Sequence, residues 1–230
     1  MTLATHRRVQ QAAKQVLATL PNWLSPADTE QSIAHRCREL LEQAGITATW
    51  YYDCPALVLL GSRSCLSIFG RAYQPALEPI GTHNLVTVDL SPLANDCWGD
   101  CARSYYIEDG EVTLIPRSSE FRAGQHCLAA LHQRMQEFAT PQTTFEELFQ
   151  FANRQIEEAG FENLDFAGNV GHSLAKSLSD RQFIEAGNRL PLSACDFFTF
   201  EPHIRQSEGR WGFKHENVYY FNAEGQVEVL

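Results

Sequence analysis

Between residues 3 and 20, Val9, Ala12, Ala13, Val16 and Leu20 fall on one face of a 3.6-residue period, which predicts an amphipathic helix. A second helix is expected over 26–44, opened by Ser25-Pro26-Ala27-Asp28 and closed by Ala44-Gly45, since glycine readily adopts the left-handed conformation past a helix end. Shorter apolar runs then predict strands at about 47–53, 56–61 and 64–69. The order then repeats. Helices are expected over 118–139 and 144–159, the latter started by the capping box Thr144-Phe145-Glu146-Glu147 and ended by Ala159-Gly160, with strands from there on. The tracts LLEQAG at 40–45 and QIEEAG at 155–160 are offset by 115 residues, half of the 230. The pattern predicts an α+β chain: one domain over 1–230, made of pseudo-repeats at about 1–115 and 116–230, each helix, helix and strands.

Polar residues that interrupt this pattern carry the chemistry. The alternating run Leu85, Val86, Val88 ends on Asp89, and Asp100 opens a second run, Cys101 to Ile107, after a turn-rich stretch containing Pro92, Asn95, Asp96 and Gly99. Two adjacent strands joined this way bring both carboxylates to one place, and ionised carboxylates in a core are costly unless a cation neutralises them. Downstream, His172 follows the small-residue stretch GNVG, Glu201 ends the apolar strand DFFTF, and Glu216 leads into the aromatic-rich NVYYF. Two Asp, one His and two Glu, each set in sequence that should be buried, suit one or two divalent ions such as Mn, Fe, Co or Zn.

Taken in order, these pieces resemble the pita-bread metallopeptidases, which include methionine aminopeptidases, aminopeptidase P, prolidase and the non-metal relative creatinase. VDLSP with Asp89, GDCARS with Asp100, GHS with His172, FEP with Glu201 and HEN with Glu216 stand where that family has D-x-G, S-D-x-T-R-T, G-H-G, E-P-G and E-D. The resemblance covers residues 83 to 222. It implies a pita-bread fold, with the pseudo-twofold repeat wrapped around a curved antiparallel sheet. It also implies a metal-activated water attacking a peptide or amide carbonyl. By the same resemblance Asp89 chelates one ion, Asp100 and Glu216 bridge two, and His172 and Glu201 bind the other, Glu201 also serving as general acid/base.

The departures from the family pattern are specific. Its second histidine, seven residues after the first, is Ser179 here; the histidine 16 to 18 residues before the first Asp is replaced by FGRAYQP, with Arg71 and Tyr73; and Ala102 stands where many members have Thr. Strand alternation offers replacements. His203 shares a face with Glu201 and is a candidate catalytic residue, and Lys214 faces with Glu216 while His215 faces away. Arg71 and Tyr73 are candidates for binding a substrate carboxylate. His83 is a weaker candidate, and His126 and His132 are expected on a helix surface. The first reading is an aminopeptidase or Xaa-Pro dipeptidase. The alternatives are a pita-bread metalloenzyme acting on a non-peptide small molecule, such as an amino-acid derivative, through Fe or Mn chemistry that need not be hydrolytic, and a non-catalytic binding protein. Four buried carboxylates speak against the last.

Composition trims the list of partners. A net charge of −10 argues against nucleic acid and anionic membranes, leaving a small peptide or small molecule as substrate. Seven cysteines without a disulfide rhythm fit a reducing cytoplasm. No stretch is long and apolar enough to span a bilayer, and residues 1–20 lack a signal-peptide core. Cys97 and Cys101 form a C-x3-C spacing, but the surrounding carboxylates specify oxygen chemistry. A homodimer would be one way to close the cleft.

Overall fold

The computed structural model describes residues 3–230. Helices α1 (Leu3–Thr19) and α2 (Glu30–Gln43) lead into strands β1 (Ala48–Thr49), β2 (Ala56–Leu60), β3 (Asn84–Leu90), β4 (Pro92–Ala94), β5 (Cys97–Trp98), β6 (Cys101–Glu108) and β7 (Glu111–Thr113). Helices α3 (Ser119–Phe138) and α4 (Phe145–Glu158) lead into β8 (Phe161–Asn163), β9 (Phe198–Phe200), β10 (His203–Gln206), β11 (Gly212–Lys214), β12 (Asn217–Phe221) and β13 (Val227–Val229). The expected order of helix, helix and strands thus occurs twice. Both second helices end at the anticipated glycines, Gly45 and Gly160, each with φ of 78°.

All strand pairing is antiparallel. The first half forms the sheet β2-β3-β6-β7, and the second forms β11-β10-β8 and β13-β12-β9. In β3, Val86, Val88 and Leu90 are fully buried against Ala13, Val16 and Leu17 of α1 and Ile33 and Cys37 of α2. Burying side chains of this size contributes roughly 1.5–3 kcal/mol each. Their alternates, Thr87 and Asp89, line a cleft on the other face. The second half builds its core likewise, from Phe121, Leu131 and Met135 of α3, Leu148 and Ile156 of α4, and Phe198, Phe200, Phe213 and Tyr219 of the strands. The two halves are stitched where Glu216 N–H donates to the Ala102 carbonyl (3.0 Å), and where Lys214 N–H donates to Ser104 Oγ (2.8 Å) while that hydroxyl donates to the Lys214 carbonyl (2.9 Å).

Three boundaries differ from the periodicity. Helix α2 starts four residues late, because Ser25 N–H and Oγ donate to Asp28 Oδ2 in a separate turn, leaving Thr29 and Ser32 to form the capping box. The strand expected at 47–53 is cut short by Tyr52 and Asp53, which adopt φ of 49° and 56°. Residues 64–69 are not a strand. Ser64 lies within the 3₁₀ turn Gly61–Cys65, where its hydroxyl donates to the Gly61 carbonyl and accepts from Gly212 N–H, and its carbonyl accepts from His203.

Candidate metal centre

Each acidic residue arrives by a separate device. Asp89 is the penultimate residue of β3, paired with Leu57 on one side and Ala102 on the other. Asp100 lies one residue before β6, and its peptide is clamped by a fully buried side chain of α1: Gln10 Nε2 donates to the Asp100 carbonyl (2.7 Å) and Asp100 N–H donates to Gln10 Oε1 (2.9 Å). Glu201 follows β9 directly and donates its N–H to the Val170 carbonyl. Glu216 precedes β12, its carbonyl accepting from Arg103 Nη1 at 2.6 Å.

His172 sits after Gly171, whose φ of 147° and approach to the Thr199 carbonyl, 2.3 Å from where a Cβ would stand, require glycine. His172 N–H donates to Thr199 Oγ1 and its carbonyl accepts from Thr199 N–H. Its Nδ1 is 3.0 Å from the Ser173 carbonyl, so Nδ1 carries the proton and Nε2 keeps its lone pair. That Nε2 lies 3.5 Å from Asp100 Oδ2 and 3.7 Å from Glu201 Oε1, the presentation a metal-ligating imidazole needs.

Two sets of ligand atoms lie within 4.8 Å of one another: Asp100, His172 and Glu216, and Asp89, Glu201 and Glu216. Glu216 belongs to both, as a bridging residue would. Asp100 groups with the histidine and Glu201 with Asp89, although Glu201 Oε1 also lies 3.7 Å from His172 Nε2. Lys214 adds a charge of opposite sign, its Nζ 2.6 Å from Asp89 Oδ2 and 3.2 Å from Glu201 Oε2.

The electrostatics follow from that arrangement. Burial, then repulsion from Asp89 and Glu201, pushes the Asp100 carboxyl well above the ordinary range. Burial and Asp100 do the same to Glu216. Burial would also raise Glu201, but Lys214 and then His172 hold it below its usual value. Asp100 Oδ2 and both Glu216 carboxylate oxygens are buried with no hydrogen-bond partner. Buried oxygens of this kind are costly unless a ligand satisfies them, and a divalent ion would satisfy all three while reversing the pKa shifts. The residues fit such an ion.

A cavity of about 270 Å³ opens on this cluster. Aromatic side chains Trp50, Tyr51, Phe69, Phe166 and Phe183 form much of its wall. Arg181 stacks on three of them, its guanidinium carbon 4.9 Å from the Phe183 ring centre, 5.5 Å from Trp50 and 5.9 Å from Tyr51. Asp165 also lines the cavity; burial, then Glu201, raises its carboxyl to about 6. Sequence reasoning missed Gln10, Asp165 and Arg181. The DRQ segment lies only nine residues after His172, but nothing in its pattern marks Arg181 as facing the cleft.

The other expectations fare unevenly. His203 does line the cleft, buried, with Nε2 2.6 Å from the Ser64 carbonyl; burial and Lys214 bring its pKa down to about 4. Arg71 lies outside the lining, 5.3 Å over Phe69 and 5.8 Å over Tyr52. Tyr73 is not brought to the cluster: its hydroxyl accepts from Val58 N–H and donates to the Val58 carbonyl, so both roles are taken by backbone. His83 stacks on Phe121 away from the site. His215 faces away as alternation requires, packed on His132. His132 is a correction. It is buried on the inner face of α3, its two nitrogens against the Tyr219 hydroxyl and the His215 carbonyl, whereas His126 is exposed. Cys97 packs with Val9 and Ile46, and Cys101 contacts the Glu216 carbonyl, so they form no joint site.

The sequence profile of Metallopeptidase family M24 matches residues 4–223. The chain belongs to metallopeptidase family M24. A probable dipeptidase PepE of Mycobacterium tuberculosis is 25% identical over 224 residues, covering 97% of this chain and 55% of that protein. Among solved structures, the X-Pro aminopeptidase of Thermotoga maritima superposes with a TM-score of 0.80 at 19% identity, covering 97% of this chain and 58% of the other. The prolidase of Pyrococcus furiosus gives 0.78 at 19%, covering 97% and 61%. This M24 chain therefore has the pita-bread fold, and it spans little more than half the length of these relatives. M24 proteins generally bind divalent metals, consistent with the acidic and imidazole cluster. Among the described residues no helix is long and apolar enough to cross a membrane.

Proposed function

We propose that this protein is a metal-dependent hydrolase of small peptides, cleaving an amide bond next to the peptide's N-terminus in the manner of an aminopeptidase or Xaa-Pro dipeptidase. The observation that carries the reading is the set of three unpartnered buried carboxylate oxygens on Asp100 and Glu216, facing an imidazole with a free lone pair. Asp89, Asp100, His172, Glu201 and Glu216 would hold one or two divalent ions. Such an ion polarises the scissile carbonyl and makes water a competent nucleophile near neutral pH.

The chain's own residues do the rest. Lys214 keeps Glu201 ionised, so Glu201 can accept the proton of the attacking water and return it to the leaving amine. His203, next but one to Glu201, is held by Ser64 and borders the reacting groups. The cavity of about 270 Å³ matches a dipeptide-sized ligand better than a long chain, and its aromatic walls exclude water from the reacting amide. Arg181 provides a cation on that wall suited to a substrate carboxylate.

A second reading is favoured by one observation. Where the family's second histidine would stand, Ser179 lies exposed and hydrogen-bonded to Ser177, offering nothing to a peptide carbonyl. The substrate would then be a non-peptide amide or other amino-acid derivative. A digest of a di- and tripeptide library with protein loaded with Mn²⁺ or Co²⁺ separates the two. Cleavage with a free N-terminal residue released supports the first reading; ion binding without cleavage of any peptide supports the second. Failure to bind any divalent ion overturns both.

A further inference from the structure

A second cavity, of about 630 Å³, shares no residue with the cleft. Its apolar wall is made by Leu17 and Ala18 of α1, Pro21 just beyond it, Val112 of β7 and Leu114 just after that strand. The wall is tied together where the Tyr105 hydroxyl of β6 donates to the Leu17 carbonyl (2.8 Å). Gln125 of α3 fixes the rim by donating to the Leu114 carbonyl (3.0 Å), and the Leu114 side chain is left 78% exposed. The volume is that of a small-molecule site.

Its charge is the reverse of the cleft's. Asp89, Asp100, Asp165, Glu185 and Glu201 line the cleft, whereas among the described residues no Asp or Glu lines the second cavity, in a chain with 28 acidic residues against 18 basic. Two cations line it instead, Lys14 and Arg103, and neither pairs with a side-chain carboxylate among the described residues. Arg103 Nη1 donates to the Ala102 and Glu216 carbonyls (2.7 and 2.6 Å), and Nη2 donates to Asn217 Oδ1 (2.7 Å). A guanidinium has five N–H donors, so Nε–H and one N–H of Nη2 remain for a ligand. Lys14 Nζ donates to the Leu230 carbonyl and keeps two further donors. Burial lowers the Lys14 ammonium below its ordinary pKa, and the Arg103 guanidinium lowers it further, a repulsion that an anion beside both would relieve.

Two cations beside an apolar wall suit an anion that carries an apolar body. The lack of any lining carboxylate narrows the class. A free amino acid or peptide brings an ammonium group, which would find no partner here and would meet two charges of its own sign.

We propose that this cavity is a second ligand site, for a small monocarboxylate with an apolar body and no ammonium group. The carboxylate sits on Lys14 and Arg103, and the body lies against Leu17, Val112 and Leu114. The site stands whether or not the cleft is a peptide hydrolase.

The test compares 3-phenylpropanoate with phenylalanine, the same skeleton carrying an α-ammonium, and with inorganic phosphate, an anion without a body. Each is titrated into metal-free protein by calorimetry. The expected result is saturable binding of 3-phenylpropanoate, with phenylalanine and phosphate at least about tenfold weaker. Lys14→Met and Leu114→Asp should each weaken 3-phenylpropanoate by about tenfold or more, the first by removing a cation and the second by placing a carboxylate at the rim. Ile115→Asp adds the same charge at an 83% exposed position outside the lining, and should change the affinity less than about twofold. No saturable binding of 3-phenylpropanoate overturns the proposal, as does equal affinity for phenylalanine or for phosphate. Binding that survives both Lys14→Met and Leu114→Asp lies elsewhere, and an equal loss in Ile115→Asp means that only net charge is felt; either result overturns it too. Should Lys14→Met not fold, Leu114→Asp, on an exposed side chain, decides the matter.

Discussion

On one side of the carboxylate cluster, Asp100 and Glu216 present buried oxygens with no partner, and burial drives both carboxyls upward. On the other, Asp89 and Glu201 share the Lys214 ammonium, and Glu201 is held low. The two sides use the same donor chemistry only a few ångströms apart. What separates them is the neutralising charge: an internal lysine on one side, and on the other an uncompensated pair of carboxyls that a divalent ion would balance. Burial alone therefore does not define a metal site; a buried carboxylate without a counter-charge does.

The shared residue should give the largest effect. Glu216→Gln removes the carboxylate common to both groups, so Mn²⁺ affinity should fall by about 100-fold or more, and amide hydrolysis with it. The metal-free variant should nevertheless melt no lower than metal-free unaltered protein, since one buried repulsive carboxyl is gone. Thermal unfolding with and without Mn²⁺ checks both statements; retention of the Mn²⁺-induced stabilisation would remove Glu216 from the site.

The sides themselves are compared by Asp100→Asn and Asp89→Asn. The first should cost about 10- to 100-fold in Mn²⁺ affinity, the second less than about tenfold, because Asp89 faces the ammonium. Equal losses in a calorimetric titration would mean that the two sides are alike.

How far the sequence led can be judged on these residues. Asp89 was legible because it interrupts an alternating run whose other face is core, and Glu216 because it leads into the aromatic-rich strand β12. The α+β order of elements and both helix-ending glycines were legible for similar local reasons. Gln10 was not. It sits among the apolar positions of α1, and only the fold brings it 90 residues along the chain to clamp the Asp100 peptide. Tyr73 misled because its neighbourhood in sequence matched a site position, while its hydroxyl was taken by the backbone of β2. His132 misled because an amphipathic pattern does not say whether a histidine at the margin of the apolar face turns inward.

Gly171 tests how the unpaired side is positioned. With φ of 147° and the Thr199 carbonyl 2.3 Å from where a Cβ would stand, Gly171→Ala strains the backbone and pushes His172 off Thr199. The expected loss is about 1–3 kcal/mol in stability, roughly 2–4 °C of melting temperature for each kcal/mol in a chain of this size. Mn²⁺ affinity should fall too, since the imidazole would move. A variant with lowered melting temperature but unchanged Mn²⁺ binding would show that His172 is placed by other contacts.

The last effect concerns the wall behind Glu216. His132 is buried between the Tyr219 hydroxyl and the His215 carbonyl, and burial depresses its pKa to about 3. The unfolded chain takes up a proton at this residue below pH about 6.5 and the folded chain does not, so stability present above that pH is lost as the pH falls toward 3. His203, at about 4, acts in the same sense. In metal-free protein, His132→Gln keeps a polar bridge but removes this one proton, so the loss of stability between pH 7 and 5 should shrink by roughly 2 kcal/mol. Urea unfolding at the two pH values measures it. An undiminished loss would mean that His132 is charged in the folded protein, and the back of the unpaired side would then carry a positive charge of its own, narrowing its difference from the side held by Lys214.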